Sequence, residues 1–422
     1  MVRRILMIAY HFPPLQGSSG IQRTLGFAHH LPASGWQPSI LSVHPRAYAR
    51  TGADQLDELD PLLPVARTWA IDSARHLALR GRYPAWLALP DRWIWWWFSA
   101  VPAGLRQIRR QRPAVLWSSY PIATAHLIGL TLHRLTGIPW IADQRDPMTD
   151  GAYPADPRTH RLHRWIEDQI VRHSAGLVCT TPGAVAAYRQ RYPAAPPERF
   201  CLIENGYDED SFARAEAALA SVSISAPAPA NAVFQLLHSG LIYPSERDPT
   251  ALLAALATLR ASGELSSANF QLLLRASGHD GHLRQLIAHH GLGAIVALAP
   301  PLPYRAALAE MLGADGLLLL QASNCNAQIP AKLYEYLRAG RPILALTDAG
   351  GDSAATLRRA GIDHIAALDS APAIVAALRR FLHQARNHHT QLPCRTTLAQ
   401  HSRGARTLEL AHLLERVSKM EP

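Results

Sequence analysis

Short apolar runs alternate with helix-length segments along nearly the whole chain, and few architectures accept that pattern. A run apolar on both faces must be covered on both. Parallel βαβ units do this, whereas sandwiches and bundles do not. The first half offers Arg4–Tyr10, Ser39–Val43, Val115–Ser118, Trp140–Asp143, Leu177–Thr180 and Cys201–Ile203 as strands. The second offers Val233–His238, Phe270–Leu274, Ile295–Leu298, Leu317–Leu320, Ile343–Leu346 and Ile365–Leu368. At 422 residues the chain exceeds what one hydrophobic core organises. The expectation is therefore an α/β protein of two Rossmann-like domains. A first domain should span 1–205 and a second 231–385, joined by an Ala/Ser/Pro-rich linker over 206–230. Helical segments over 386–422 should pack back toward the first domain.

Composition narrows the function classes. Hydrophobic residues make up 48% and charged residues 18%, and no run approaches the roughly 20 apolar residues that span a bilayer. The expectation is a soluble chain. Two arginines precede an apolar run at the N-terminus, yet prolines and a Gly/Ser loop follow it where a cleavage site would stand, so it reads as a first strand. The four cysteines are far apart and form no CxxC pair, which suggests neither zinc nor a disulfide framework and fits a reducing cytoplasm. The net charge of +10 is uneven, because residues 61–120 hold nine arginines against Asp72 and Asp91 and seven of the ten tryptophans. Arg92, Trp93, Trp95, Trp96 and Trp97 lie together there, followed by Arg106, Arg109, Arg110 and Arg112. That pairing suits peripheral contact with an anionic membrane, and it equally suits a buried aromatic helix with a solvated basic end. Nucleic acid is not expected, since no recognition motif accompanies the charge.

Two strand-to-helix junctions carry the chemistry. Strand one runs into HFPPLQGSSG, where Gly17, Ser18 and Gly20 open a helix at a strand's carboxyl end and admit close backbone approach by an anion; ordinary turn chemistry explains it as well. In QIPAKLYEYLRAGRPILAL, Pro330 suits the first helical position, Gly340 the helix end, and Ile343–Leu346 resumes a strand. Lys332 then falls in the first turn, where a cation opposes the macrodipole unless an anion sits in front of it. Of the 42 basic residues only Lys332 and Lys419 are lysine, so a compact ammonium stands at this junction in a chain that otherwise uses arginine. Glu335 shares its helix face and could accept from two vicinal ribose hydroxyls, or pair with Arg338 or Lys332. In HSGLIYPSERDP, Gly240 stands in another post-strand turn, and Arg247 could converge with Lys332 on one phosphate.

Together FPPLQGSSGIQR, SSYPIATAHLIGL, GIPWIADQRDP, ENGYDEDSF, HSGLIYPSERDP and IPAKLYEYLRAGRPILAL resemble the family-4 glycosyltransferases, retaining enzymes of the GT-B class. The resemblance implies two facing Rossmann-like domains with parallel sheets and an interdomain cleft. It implies a nucleoside-diphosphate sugar donor, with Gly17, Arg247 and Lys332 at the diphosphate and Glu335 at the ribose. It also implies transfer with retention to a saccharide acceptor, one carried on a lipid, as in bacterial envelope polysaccharide assembly at the cytoplasmic membrane face. Arg247 and Lys332 would stabilise the leaving group, and no metal or other cofactor is expected. Asp143, Arg145 and Asp146, closing a first-domain strand, could orient the acceptor or form a structural ion pair, Arg145 with either aspartate. The family often carries an acid eight positions before the helix glutamate, where this chain has Ala327; backbone amides of the Asn324–Gln328 loop could serve instead. Asp208, Glu209 and Asp210 match a metal-binding DxD string but read better as helix-capping acids. His11, His126 and His238 border the proposed loops without an assigned role. A nucleotide-sugar epimerase of the same architecture and a non-catalytic, membrane-associated nucleotide-sugar-binding module are the alternative functions.

Overall fold

The structure, a computed structural model, describes residues 3–16, 19–52, 56, 59–151, 153–222 and 233–419. The chain divides into two compact units, Met1–Asn205 with Arg403–Pro422, and Gly206–Ser402.

The first unit runs β1 (Arg3–Ile8), α1 (Ser19–His30), β2 (Trp36–Val43), β3 (Val65–Thr68), α2 (Ser73–His76), α3 (Trp96–Gln111), β4 (Val115–Ser119), α4 (Ala123–Thr136), β5 (Trp140–Arg145), α5 (Pro157–His173), β6 (Gly176–Cys179), α6 (Pro182–Arg191) and β7 (Phe200–Leu202). Its seven strands form one parallel sheet in the order β3-β2-β1-β4-β5-β6-β7. The inner strands are apolar because helices cover both faces: Leu116 and Ala142 pack into one layer, Val115, Trp117 and Ile141 into the other.

The second unit runs α7 (Glu209–Val222), β8 (Phe234–Ser239), α8 (Thr250–Ala261), β9 (Phe270–Arg275), α9 (Asp280–His289), β10 (Val296–Ala299), α10 (Tyr304–Gly313), β11 (Gly316–Leu320), α11 (Ala331–Ala339), β12 (Ile343–Leu346), α12 (Asp352–Arg359), β13 (Ile365–Ala366), α13 (Ala371–Arg386) and α14 (Arg395–Gln400). Its sheet is parallel in the order β10-β9-β8-β11-β12-β13. A final helix, α15 (Arg403–Val417), belongs to the first unit and buries Leu410, Leu414 and Val417 beside α1. In both sheets the strand order reverses beside the first strand, between β1 and β4 and between β8 and β11. Open α/β sheets bind ligands at the carboxyl ends of such strands.

Three expectations change. The segment read as a linker holds α7, which buries Phe212 and packs on α10; residues 223–232 lie outside those described. Asp208 accepts from the Ser211 N–H at 2.8 Å, a capping contact at the start of α7. The crossing back to the first unit comes at Arg403, not near 386. His401 holds the preceding stretch to the second unit, its carbonyl accepting from the Tyr207 N–H and its ring lying 5.3 Å from that of Tyr334. The third is β3, absent from the sequence reading. It is a four-residue edge strand, partly exposed throughout, and so has no apolar run to betray it.

Candidate functional site

In the second unit the switch point is occupied by a buried histidine. His238, the penultimate residue of β8, has no exposure, and its Nδ1 lies 2.9 Å from the carbonyl oxygen of Leu318 on neighbouring β11. A carbonyl only accepts, so Nδ1 carries the proton and Nε2 presents a lone pair. Lys332 Nζ stands 3.3 Å from that Nε2. Burial, reinforced by the positive charges of Lys332 and Arg247, holds His238 well below its ordinary range, so it remains neutral. The Lys332 ammonium is itself pushed down to about 7, first by burial and then by Arg247, with Glu335 opposing.

Gly240 makes room for this lysine. At φ 124° it adopts a conformation that favours glycine, and a Cβ there would lie 2.6 Å from Lys332 Nζ. Its N–H donates to the Arg275 carbonyl at 2.8 Å, so what it contributes beside Lys332 is space. Arg247 is anchored by Nη1 donating to the Leu241 carbonyl at 2.6 Å, with its guanidinium 5.5 Å from the Tyr243 ring centre. Among the described residues, neither Lys332 nor Arg247 pairs with a carboxylate. Pro330 is the N-cap of α11 and not its first helical residue; no side chain caps this end and no acid lies in the first turn. Lys332, acted on by the charge of Arg247 and opposed by Glu335, thus stands at a helix's positive pole, an arrangement whose electrostatics favour an anion.

Glu335, partly exposed on the same helix, accepts from the Tyr304 hydroxyl at 2.9 Å. Arg338 turns elsewhere, pairing with Glu209 and Glu216 and lying 5.0 Å from the Phe212 ring centre. The Asn324–Gln328 loop spends much of its backbone on itself: the amides of Cys325, Asn326 and Gln328 donate to Ala322, Ser323 and Cys325. Gln321 Nε2 braces it through the carbonyls of Cys325 and Gln328. Those three amides therefore cannot replace the acid absent at the exposed Ala327.

In the first unit the expected acceptor group separates into two roles. Asp143 has no exposure and is clamped by Arg23, with Nη2 at 2.8 Å and Nε at 3.0 Å, while the Ser119 hydroxyl donates at 3.2 Å. Arg23 also donates to the carbonyls of Ile203 and Glu204, both at 3.0 Å, tying α1 and β5 to the end of β7. Asp143 is thus held in a buried ion pair with Arg23, whereas the ion-pair alternative had named Arg145. Arg145 follows a register shift in β5 and holds φ 54°, a strained value for a non-glycine residue. Burial pushes its guanidinium down, with Asp146 the strongest opposing charge. A Cβ on Gly20 would meet Arg145 Nη1 at 2.5 Å and His11 Nδ1 at 2.9 Å, so the glycine admits those side chains to the amino end of α1. Burial and Arg145 lower His11 to about 3. Gly17 and Ser18 lie outside the described residues.

The aromatic stretch is mostly structural. Trp96 is fully buried and donates to Thr68, while Trp95 and Trp97 donate to Ser73 and Thr131. Arg92 pairs with Asp72, and Trp93 packs on Tyr10. Trp97 also lines an open groove of about 380 Å³ with Leu130, Arg134, Leu135 and Trp165, and Phe98 nearby is 54% exposed. Among the described residues no helix is long and apolar enough to cross a membrane, and no group of three or more His, Cys, Asp or Glu could hold a metal ion.

Residues 19–206 match the family described as the glycosyl transferase 4-like domain. No curated protein sequence matches the chain. Among solved structures, the chain is similar to sucrose-phosphate synthase from Thermosynechococcus elongatus, at 17% identity and TM-score 0.67 over 98% of each chain. It is similar to Anabaena HepE in complex with UDP-glucose, at 13% identity and TM-score 0.62 over 98% of this chain and 99% of that one. It is also similar to the UDP-GlcNAc 2-epimerase of Neisseria meningitidis bound to UDP-GlcNAc, at 10% identity and TM-score 0.58 over 98% and 100%. Residues 19–206 thus match the glycosyl transferase 4-like domain, within a chain whose two Rossmann-like units share the fold of the GT-B glycosyltransferases.

Proposed function

We propose that the protein transfers a sugar, with retention, from a nucleoside-diphosphate sugar to a saccharide acceptor carried on a lipid, in polysaccharide assembly at the cytoplasmic face of a membrane. The observation that carries the donor half is the convergence of Lys332 and Arg247, neither ion-paired among the described residues, at the uncapped amino end of α11. A departing nucleoside diphosphate gains negative charge as its bond to the anomeric carbon breaks. Fixed cations and helix amides stabilise that charge without reorganising. Lys332 and Arg247 take the diphosphate, and Glu335, steadied by Tyr304, accepts from the ribose hydroxyls. On the acceptor side Arg145 and Asp146 are the orienting groups, with Asp143 holding β5 in shape beneath them. The departing phosphate takes the acceptor's hydroxyl proton, so no protein nucleophile and no metal is required.

The binding of UDP-glucose and UDP-GlcNAc by the HepE and epimerase structures supports a nucleotide-sugar as the ligand class. A thermal-shift screen of nucleotide-sugars tests it, since a ligand at 100 times its dissociation constant adds about 2.7 kcal/mol. Incubation with donor alone then separates the readings. A transferase gives at most slow hydrolysis, whereas an epimerase interconverts sugars without acceptor.

Membrane contact is proposed through the exposed rim near Trp97 and Phe98, with the arginines that follow. Liposome flotation tests this part: Trp97→Ser with Phe98→Ser should release the protein from anionic vesicles, and retention equal to the parent's rejects it.

A further inference from the structure

We infer that His238 is the positioning residue for Lys332: its Nε2 lone pair, fixed in direction by the Leu318 carbonyl, fastens the ammonium at the carboxyl end of β8 where the donor diphosphate is to lie. The inference rests on the donor site proposed above and adds a group that touches no substrate. A lysine on a flexible four-carbon stem loses about 2 kcal/mol of rotamer freedom when held in one place. An acceptor already in position lets the fold meet that cost before the ligand arrives. The chemistry of the acceptor matters. A carboxylate here would neutralise the ammonium and compete with phosphate, whereas neutral imidazole holds the nitrogen without adding a negative charge. An ammonium has three donors; one directed at Nε2 leaves two for phosphate oxygens.

Each side of the arrangement is fixed. His238 has no exposure and bridges β8 to β11 across the switch point. Gly240 leaves the space Nζ fills, and the Ser239 N–H between them donates to the Tyr336 hydroxyl at 2.9 Å, binding the strand end to α11. The charged groups facing the lysine are Arg247, from the turn after β8, and Glu335, from α11 itself.

Two substitutions separate positioning from support. His238→Asn places an amide N–H at the Nδ1 locus, keeping the Leu318 bond and losing the acceptor for Lys332. His238→Gln places an oxygen near the Nε2 locus and keeps the acceptor. Parent, both variants, Lys332→Ala and the His238→Asn/Lys332→Ala double variant are titrated calorimetrically at pH 7 with UDP, GDP, ADP and dTDP, with thermal unfolding recorded for each. His238→Asn is expected to weaken the tightest diphosphate about tenfold, a coupling of about 1.4 kcal/mol, and His238→Gln less than about threefold. In the Lys332→Ala background His238→Asn should cost nothing further. His238→Asn binding as tightly as the parent, or losing as much without Lys332 as with it, overturns the positioning role while leaving the donor site standing. If Lys332→Ala binds every diphosphate as the parent does, or the parent binds none, the donor site falls and the positioning role with it.

Discussion

An ammonium held at about 7 by burial and by Arg247 is half-charged in neutral solution and becomes fully charged when a phosphate lies beside it. Diphosphate affinity should therefore fall by up to about tenfold per pH unit above 7 as the free protein loses that proton, and Lys332→Met should flatten the dependence. Calorimetric titration of UDP between pH 7 and 9 measures this. Stability without ligand runs the other way. The unfolded chain keeps the lysine proton up to its ordinary range while the folded chain releases it from about 7, so stability from this group rises with pH between those values. Gly240→Ala is expected to cost about 1–3 kcal/mol by urea unfolding and to weaken UDP, because φ 124° and the nearby Nζ both oppose a methyl group. Lys332 was legible from its rarity and its place in the helix. His238 was visible in the same segment as Gly240 but had no signal of its own, because its partners, Leu318 and Lys332, are 80 and 94 residues away.

Most elements were legible because parallel strands buried on both faces leave continuous apolar runs, and the strand-loop-helix-strand unit around α11 was punctuated by Pro330, Gly340 and Pro342. What escaped was pairing over distance. Asp143, Arg145 and Asp146 look alike in sequence, yet Arg23, 120 residues from Asp143, takes the first as a buried partner. Nothing local separates it from a surface acid. Arg23→Met should destabilise the first unit by about 3–5 kcal/mol in urea, because it strands a buried carboxylate. Replacing Arg23 and Asp143 together with apolar residues should recover much of that loss. Arg338→Ala, which frees Glu209 and Glu216 and uncovers Phe212, should loosen α7 at a cost of about 1 kcal/mol, read as faster amide exchange in that helix.

Over the whole molecule the same winding recurs, with both sheets reversing order beside their first strand. Each reversal gathers the residues singled out for chemistry: His238, Gly240 and Lys332 in one unit, His11, Gly20 and Arg145 in the other. The chain leaves the first unit after Asn205 and returns at Arg403, so this unit is completed by its last segment. Truncation after Ser402 should expose the apolar surface under Leu410, Leu414 and Val417 and strand Glu204, which Arg406 pairs. Limited proteolysis should then digest the first unit and spare the second. The return crossing was hard to place from sequence because helical periodicity continues through α13, α14 and α15 without marking where the packing partner changes. A crystal structure of the parent with UDP tests the donor site most directly. The diphosphate is expected at the amino end of α11, with a phosphate oxygen about 3 Å from Lys332 Nζ; a diphosphate seated away from that helix, with Lys332 still turned to His238 alone, contradicts it.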